Sequence, residues 1–137
     1  TEKLGYIEAL SRDYADSIQM LLKNGYKVVL IYPIPEMGWD VPKHLMKKMH
    51  INGELTPRDA SISHKLYQQR NRRAYAALDS IGKHKNLVRI YPEKLFCDTF
   101  VKERCAAHVG SKPIYSDDNH LSNYGASLIL DKVIKQL

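Results

Sequence analysis

Apolar side chains recur at three- and four-residue steps at Ile7, Leu10, Tyr14, Ile18 and Leu21. This spacing predicts an amphipathic helix over residues 5–24 with those five on its inward stripe. Gly25 stands where a left-handed C-cap belongs. The period then changes. Lys27-Val28-Val29-Leu30-Ile31-Tyr32 is a nearly unbroken apolar, β-branched run stopped by Pro33. Unbroken apolarity marks a strand covered on both faces, as in a parallel sheet.

Between residues 35 and 56 the pattern weakens, punctuated by Pro35, Gly38, Pro42 and Gly53, so an excursion with one short helix near residues 43–50 is expected. Thr56-Pro57 reads as an N-cap followed by proline at the first helical position. The helix so opened runs to about Gly82, with Ile62, Leu66, Ala74, Leu78 and Ile81 inward. Leu87-Val88-Arg89-Ile90-Tyr91 is a second strand, again closed by proline, and a short helical turn over residues 93–96 follows. Residues 106–109 and 113–115 flank Gly110-Ser111 as a small hairpin. Residues 116–121 form a polar loop, and Ser122 caps a last helix with Ile129, Val133 and Leu137 along one side. The order helix, strand, helix, strand favours an α/β fold with a parallel sheet.

The chain has 137 residues, enough for one domain, and its 44% hydrophobic and 26% charged composition excludes intrinsic disorder and low-complexity classes. The longest apolar run, residues 28–34, is too short to cross a bilayer. Lysine and arginine number 21 against 15 acids, a net charge of +6. Anionic partners therefore enter the picture, with basic clusters at residues 43–50 and 70–73. No nucleic-acid reader motif or aromatic stacking platform accompanies that charge, so nucleic acid is not expected as a partner. Both clusters fall in helices, where a charge run is ordinarily a solvated face.

Chemistry concentrates in Tyr115-Ser116-Asp117-Asp118-Asn119-His120-Leu121-Ser122. A carboxylate three residues before a histidine, on a loop entering a helix, can fix the imidazole tautomer. The other ring nitrogen is then free to take a proton from a hydroxyl. The alternative is an ordinary Asp-rich turn beside a surface histidine. His44, His50, His64, His84 and His108 share no metal-ligand spacing, and no Gly-rich phosphate loop occurs, so neither a metal nor a nucleotide is expected. The nine tyrosines read as structural, and Trp39 with Met37 as packing or as the lining of a substrate groove. Cys97 and Cys105 fit two unrelated buried thiols or one disulfide; the latter implies an oxidising compartment and a stabilisation of about 2–3 kcal/mol.

The chain resembles the C-terminal part of SGNH-type hydrolase domains, and more closely the SGNH domain appended to acyltransferase-3 membrane proteins that O-acetylate bacterial surface polysaccharides. The residues carrying the resemblance are Leu95-Phe96-Cys97, Cys105, Pro113-Ile114-Tyr115-Ser116-Asp117-Asp118-Asn119-His120-Leu121-Ser122 and Gly125-Ala126. Upstream, Gly25-Tyr26-Lys27-Val28-Val29 running into Pro33-Ile34-Pro35 is similar as well. The resemblance implies a three-layer α/β/α sandwich of the SGNH/flavodoxin-like kind. It also implies a general base at His120, an orienting carboxylate at Asp117 and a disulfide between Cys97 and Cys105. By the same resemblance the domain is extracytoplasmic and periplasmic, tethered to the inner membrane through an N-terminal acyltransferase domain. Its substrate is a polysaccharide or acyl ester. It binds no cofactor itself, and the acyl donor, such as acetyl-CoA, belongs to the parent protein.

One departure matters. The family's nucleophilic serine lies in a Gly-Asp-Ser block, and no such block occurs in this sequence. Asp79-Ser80 is a decoy, with Leu78 in place of the glycine and a helical setting. No oxyanion glycine or asparagine can be assigned either. Residues 1–137 are thus expected to be one partial domain holding two of three triad members, with the serine block upstream. Incomplete sheet edges are expected to favour self-association. Esterase chemistry, and a non-catalytic basic module built on residues 43–48 and 70–73 for glycan or nucleic acid, are the alternatives.

Overall fold

The computed structural model describes residues 2–137. Helix α1 (Glu2–Lys23) leads into strand β1 (Val28–Ile31), and helix α2 (Val41–Asn52) lies within the excursion that follows. The two-residue strand β2 (Ile62–Ser63) precedes helix α3 (His64–Asp79), which returns to strand β3 (Leu87–Ile90). A short helix α4 (Pro92–Phe96), the small strands β4 (Arg104–Cys105), β5 (His108–Val109) and β6 (Lys112–Pro113), and helix α5 (Asn123–Gln136) complete the chain.

β1 and β3 pair in parallel, with Val28 opposite Leu87 and Ile31 opposite Ile90. Successive side chains of a strand point to opposite faces, and here both faces are covered. Val28, Leu30, Tyr32, Leu87 and Tyr91 join Ala15, Ile18 and Leu22 of α1 and Leu78 of α3 in one apolar cluster. Val29, Val88 and Ile90 join Leu128, Ile129 and Val133 of α5 in another. Helices thus flank the parallel pair on both sides, the α/β arrangement expected of its unbroken apolar strands.

The start of α3 brings a correction. The helix predicted to open at Thr56 begins at His64, capped by Ser63, whose Oγ accepts from the Leu66 amide at 3.3 Å. Before it, the Asp59 carboxylate accepts from the Thr56 amide at 2.7 Å in a turn, and Ala60 takes a left-handed φ of 58°. That conformation interrupts any helix. Ile62 and Ser63 instead pair antiparallel with Cys105 and Arg104. Accordingly Leu66 and Ala74 are exposed, and the inward positions of α3 are Tyr67, Tyr75 and Leu78.

The stripe on α1 is also offset from the expected one. Ala15 and Leu22 are buried and Ile7 and Ile18 half-buried, whereas Leu10, Tyr14 and Leu21 are 57%, 48% and 39% exposed. Apolar residues on two sides of one helix made the choice of stripe ambiguous. At the other end of the chain Ile129 is buried and Val133 half-buried, but Leu137 is exposed.

Polar groups tie the layers together. The Tyr67 hydroxyl donates to the Pro33 carbonyl at 2.6 Å and meets the Tyr75 hydroxyl at 3.0 Å, while Tyr75 donates to Glu93 at 2.8 Å. Burial pushes the Tyr67 phenol up to about 12. Burial alone would raise Glu93 too, but hydrogen bonds from His64, Tyr75 and Gln68 outweigh it and hold the carboxyl below its usual range. Both ring nitrogens of buried His108 face carbonyl oxygens, of Gly110 at 2.6 Å and Thr56 at 2.9 Å.

The offset of α1 has a direct measure. Leu22→Ala is expected to cost about 2–3 kcal/mol in urea unfolding, and Leu21→Ala less than about 1 kcal/mol; the reverse ranking would contradict the packing described.

Candidate active site

Residues 116–120 form a tight loop closed by main-chain pairing. Tyr115 and Leu121 face each other in an antiparallel bridge, and the Ser116 amide donates to the His120 carbonyl at 2.8 Å. Beyond the loop, the Ser122 hydroxyl donates to the Pro113 carbonyl at 2.7 Å and accepts from the Gly125 amide at 3.0 Å, capping α5. Gly125 lies so close to Ile114 that a Cβ there would collide with the Ile114 carbonyl oxygen. Only glycine lets α5 start against the strand that feeds the loop.

The loop sits at the carboxyl end of β1, where ligands of open α/β sheets bind. After β1, the Met37 amide donates to the Asp118 carbonyl at 2.8 Å and the Val41 amide to the Asp117 carbonyl at 3.1 Å. Asp40 caps α2 by accepting from the Lys43 amide at 3.0 Å, and the Trp39 indole donates to the Ala60 carbonyl at 3.1 Å. Trp39 is nevertheless 41% exposed, whereas Met37 is buried.

Within this frame Asp117 Oδ1 accepts from the Asn119 and His120 amides at 2.9 and 2.7 Å. Its Oδ2 lies 2.7 Å from His120 Nδ1. The His120 amide, the Asn119 amide and then the imidazole hold the Asp117 carboxyl down to about 2. An ionised carboxylate can only accept, so Nδ1 carries the proton and donates. Nε2 is left as a base, on a side chain that is 77% exposed. The sequence-predicted pair is therefore brought together in the geometry that orients an imidazole for proton transfer.

Asp79 and Ser80 lie elsewhere. Asp79 accepts from the Tyr32 hydroxyl at 2.6 Å, and Ser80 donates to the Ala77 carbonyl at 2.6 Å at the C-terminus of α3. That end of α3 leads toward β3, and neither residue shares a hydrogen bond with the Asp117–His120 loop. Cys97 and Cys105 are joined by a disulfide. It closes the loop in which Asp98 and Glu103 adopt left-handed φ angles, and Cys105 also pairs with Ile62. Two features of the site had no signal in the sequence: the main-chain latch from Met37 and Val41, and the buried tyrosine network behind it. The basic residues 43–48 and 70–73 lie on α2 and α3, mostly on their solvated faces.

Three experiments test this geometry. The Asp117 carboxyl should titrate near pH 2 by carbon NMR, so its pairing persists down through the ordinary carboxylate range and is lost only as pH falls through about 2. Asp117→Asn should in turn remove the enforced Nδ1–H tautomer of His120. Gly125→Ala should cost about 1–3 kcal/mol in unfolding and shift the His120 resonances, because α5 and the loop must move apart.

A family model described as "SGNH domain (fused to AT3 domains)" matches residues 2–135. No curated protein and no solved structure matches the chain. The match takes in both parallel strands, the disulfide and the Asp117–His120 loop. The chain belongs to the family of SGNH domains fused to AT3 domains, a hydrolase-like, acyltransferase-associated group.

Proposed function

We propose that this domain supplies the base and its orienting carboxylate for acyl transfer to a sugar hydroxyl of a cell-surface polysaccharide. The observation that carries the reading is the 2.7 Å contact between Asp117 Oδ2 and His120 Nδ1, with Nε2 exposed and free. A serine in a segment outside this sequence attacks the acyl carbonyl and passes its proton to His120 Nε2. Asp117 stabilises the imidazolium so formed. The proton returns to the leaving group as the acyl-serine ester forms. In the second half, the sugar hydroxyl loses its proton to Nε2 and attacks the ester, and the serine is released with the proton restored. Water in place of the sugar gives ester hydrolysis by the same steps. The disulfide supports an extracytoplasmic, oxidising setting, and the AT3 fusion supports an acyl supply from a membrane domain.

The test is made in the protein carrying its AT3 domain. His120→Ala should abolish polysaccharide O-acylation, and Asp117→Asn should lower it by about 10³-fold or more. Acylation that survives His120→Ala would overturn the reading and leave the basic module as the better account.

A further inference from the structure

A cleft of about 250 Å³ lies beside the catalytic loop, lined by Glu36, Ile62, Tyr67, Arg70 and Asn71. Its position follows from the chain. Glu36 precedes Met37, whose amide is bonded to the Asp118 carbonyl. Tyr115, two residues before Asp117, is fully buried near Tyr67 and Glu36, and its hydroxyl has no hydrogen-bond partner.

The lining has a definite chemistry. Ile62 and Tyr67 form a floor that is almost wholly covered, at 4% and 1% exposure, so the accessible lining is mainly polar. Above it stand an exposed carboxylate and an exposed guanidinium. Neither takes part in the four ion pairs among the described residues. Asn71 spends Nδ2 on the Tyr67 carbonyl at 2.9 Å, which leaves its Oδ1 as an acceptor.

The charge balance selects the ligand. A phosphate or carboxylate would meet Arg70 but be opposed by Glu36, and a cation would meet the reverse. A wholly apolar ligand would desolvate both charges without compensation. A neutral polyol satisfies all of them, since its vicinal hydroxyls donate to a carboxylate or amide oxygen and accept from a guanidinium. The volume suits one ring rather than an extended chain.

We infer that Glu36, Arg70 and Asn71 form the subsite that holds a neutral sugar ring of the acceptor beside His120. This rests on the acyl-transfer reading for its role in catalysis, although the binding itself does not. These residues are specificity-determining; none is assigned to proton transfer.

The experiment is saturation-transfer difference NMR on the AT3-fused protein, with methyl glycosides of neutral hexoses and 6-deoxyhexoses as probes and inorganic phosphate as competitor. At least one glycoside should bind with a Kd on the order of 1 mM, and phosphate should not displace it. Glu36→Ala and Arg70→Ala, both on exposed side chains, should each weaken that binding about tenfold. His120→Ala should leave it unchanged while abolishing acylation. Glycoside binding insensitive to both cleft variants, or no binding at all, would overturn the subsite; so would displacement by phosphate, which would mark an anion pocket. Cleft-dependent binding with acylation surviving His120→Ala would retain the subsite and overturn only its catalytic role.

Discussion

Two main-chain hydrogen bonds, from Met37 to the Asp118 carbonyl and from Val41 to the Asp117 carbonyl, join the segment after β1 to the loop before α5. Those segments are about eighty residues apart in sequence, so closing them together costs chain entropy that packing must offset. The offset comes from both sides. The residues between the two donors are shaped by Gly38 at φ 80°, by the Asp40 cap and by the Trp39 indole on Ala60. The loop is held by the Tyr115–Leu121 bridge and by the contact of Gly125 with Ile114. Because amides from the first segment occupy the Asp117 and Asp118 carbonyls, the loop has little freedom to turn Asp117 away from His120.

The Asp117–His120 pairing and the residues that set fold class were legible for the same reason: their signals are local. Asp117 and His120 are three positions apart, and their pairing needs only a turn. Ser122 caps α5 through its own hydroxyl, Gly110-Ser111 sits between β5 and β6, and Val28 through Ile31 are apolar without alternation. What escaped local reading depends on distant partners. Ile62 and Ser63 have a helical-looking context, and they become strand because Cys105 and Arg104 lie alongside. Arg104 also donates to the Ser61 hydroxyl at 2.6 Å and to the Ser61 carbonyl at 2.7 Å. No periodicity announces such a pairing. Tyr67 and Tyr75 escaped differently. Their rings are core and their hydroxyls polar, so a binary pattern misassigns them, although their hydrogen bonds connect α3 to the end of β1 and to α4.

Cysteine spacing alone left disulfide and free thiols equally open, and the structure shows why the spacing was uninformative. The bridge spans residues 98–104, a loop stabilised by its own polar contacts. Thr99 donates to the Leu95 carbonyl, and Asp98 accepts from the Glu103 amide. The disulfide fixes Phe96 and Ala106 side by side, with the Ala106 amide on the Phe96 carbonyl at 2.8 Å. From there Ala107 pairs with Ile114, and Ile114 with Ser122. The covalent link is thus one end of a main-chain ladder whose other end is the Asp117–His120 loop.

The contrast between Asp117 and His120 bears on how such a site becomes active. Asp117 is half-covered and held by three donors, so its charge and orientation are set before any substrate arrives. His120 keeps most of its ring in water, where an imidazolium–carboxylate attraction is weak. The same attraction grows several-fold as water is excluded. Covering the imidazole would therefore strengthen the stabilisation of its protonated form. On the acyl-transfer reading proposed above, a rigid carboxylate beside an open imidazole would make proton transfer conditional on a covered site, and so would limit loss of the acyl group to water.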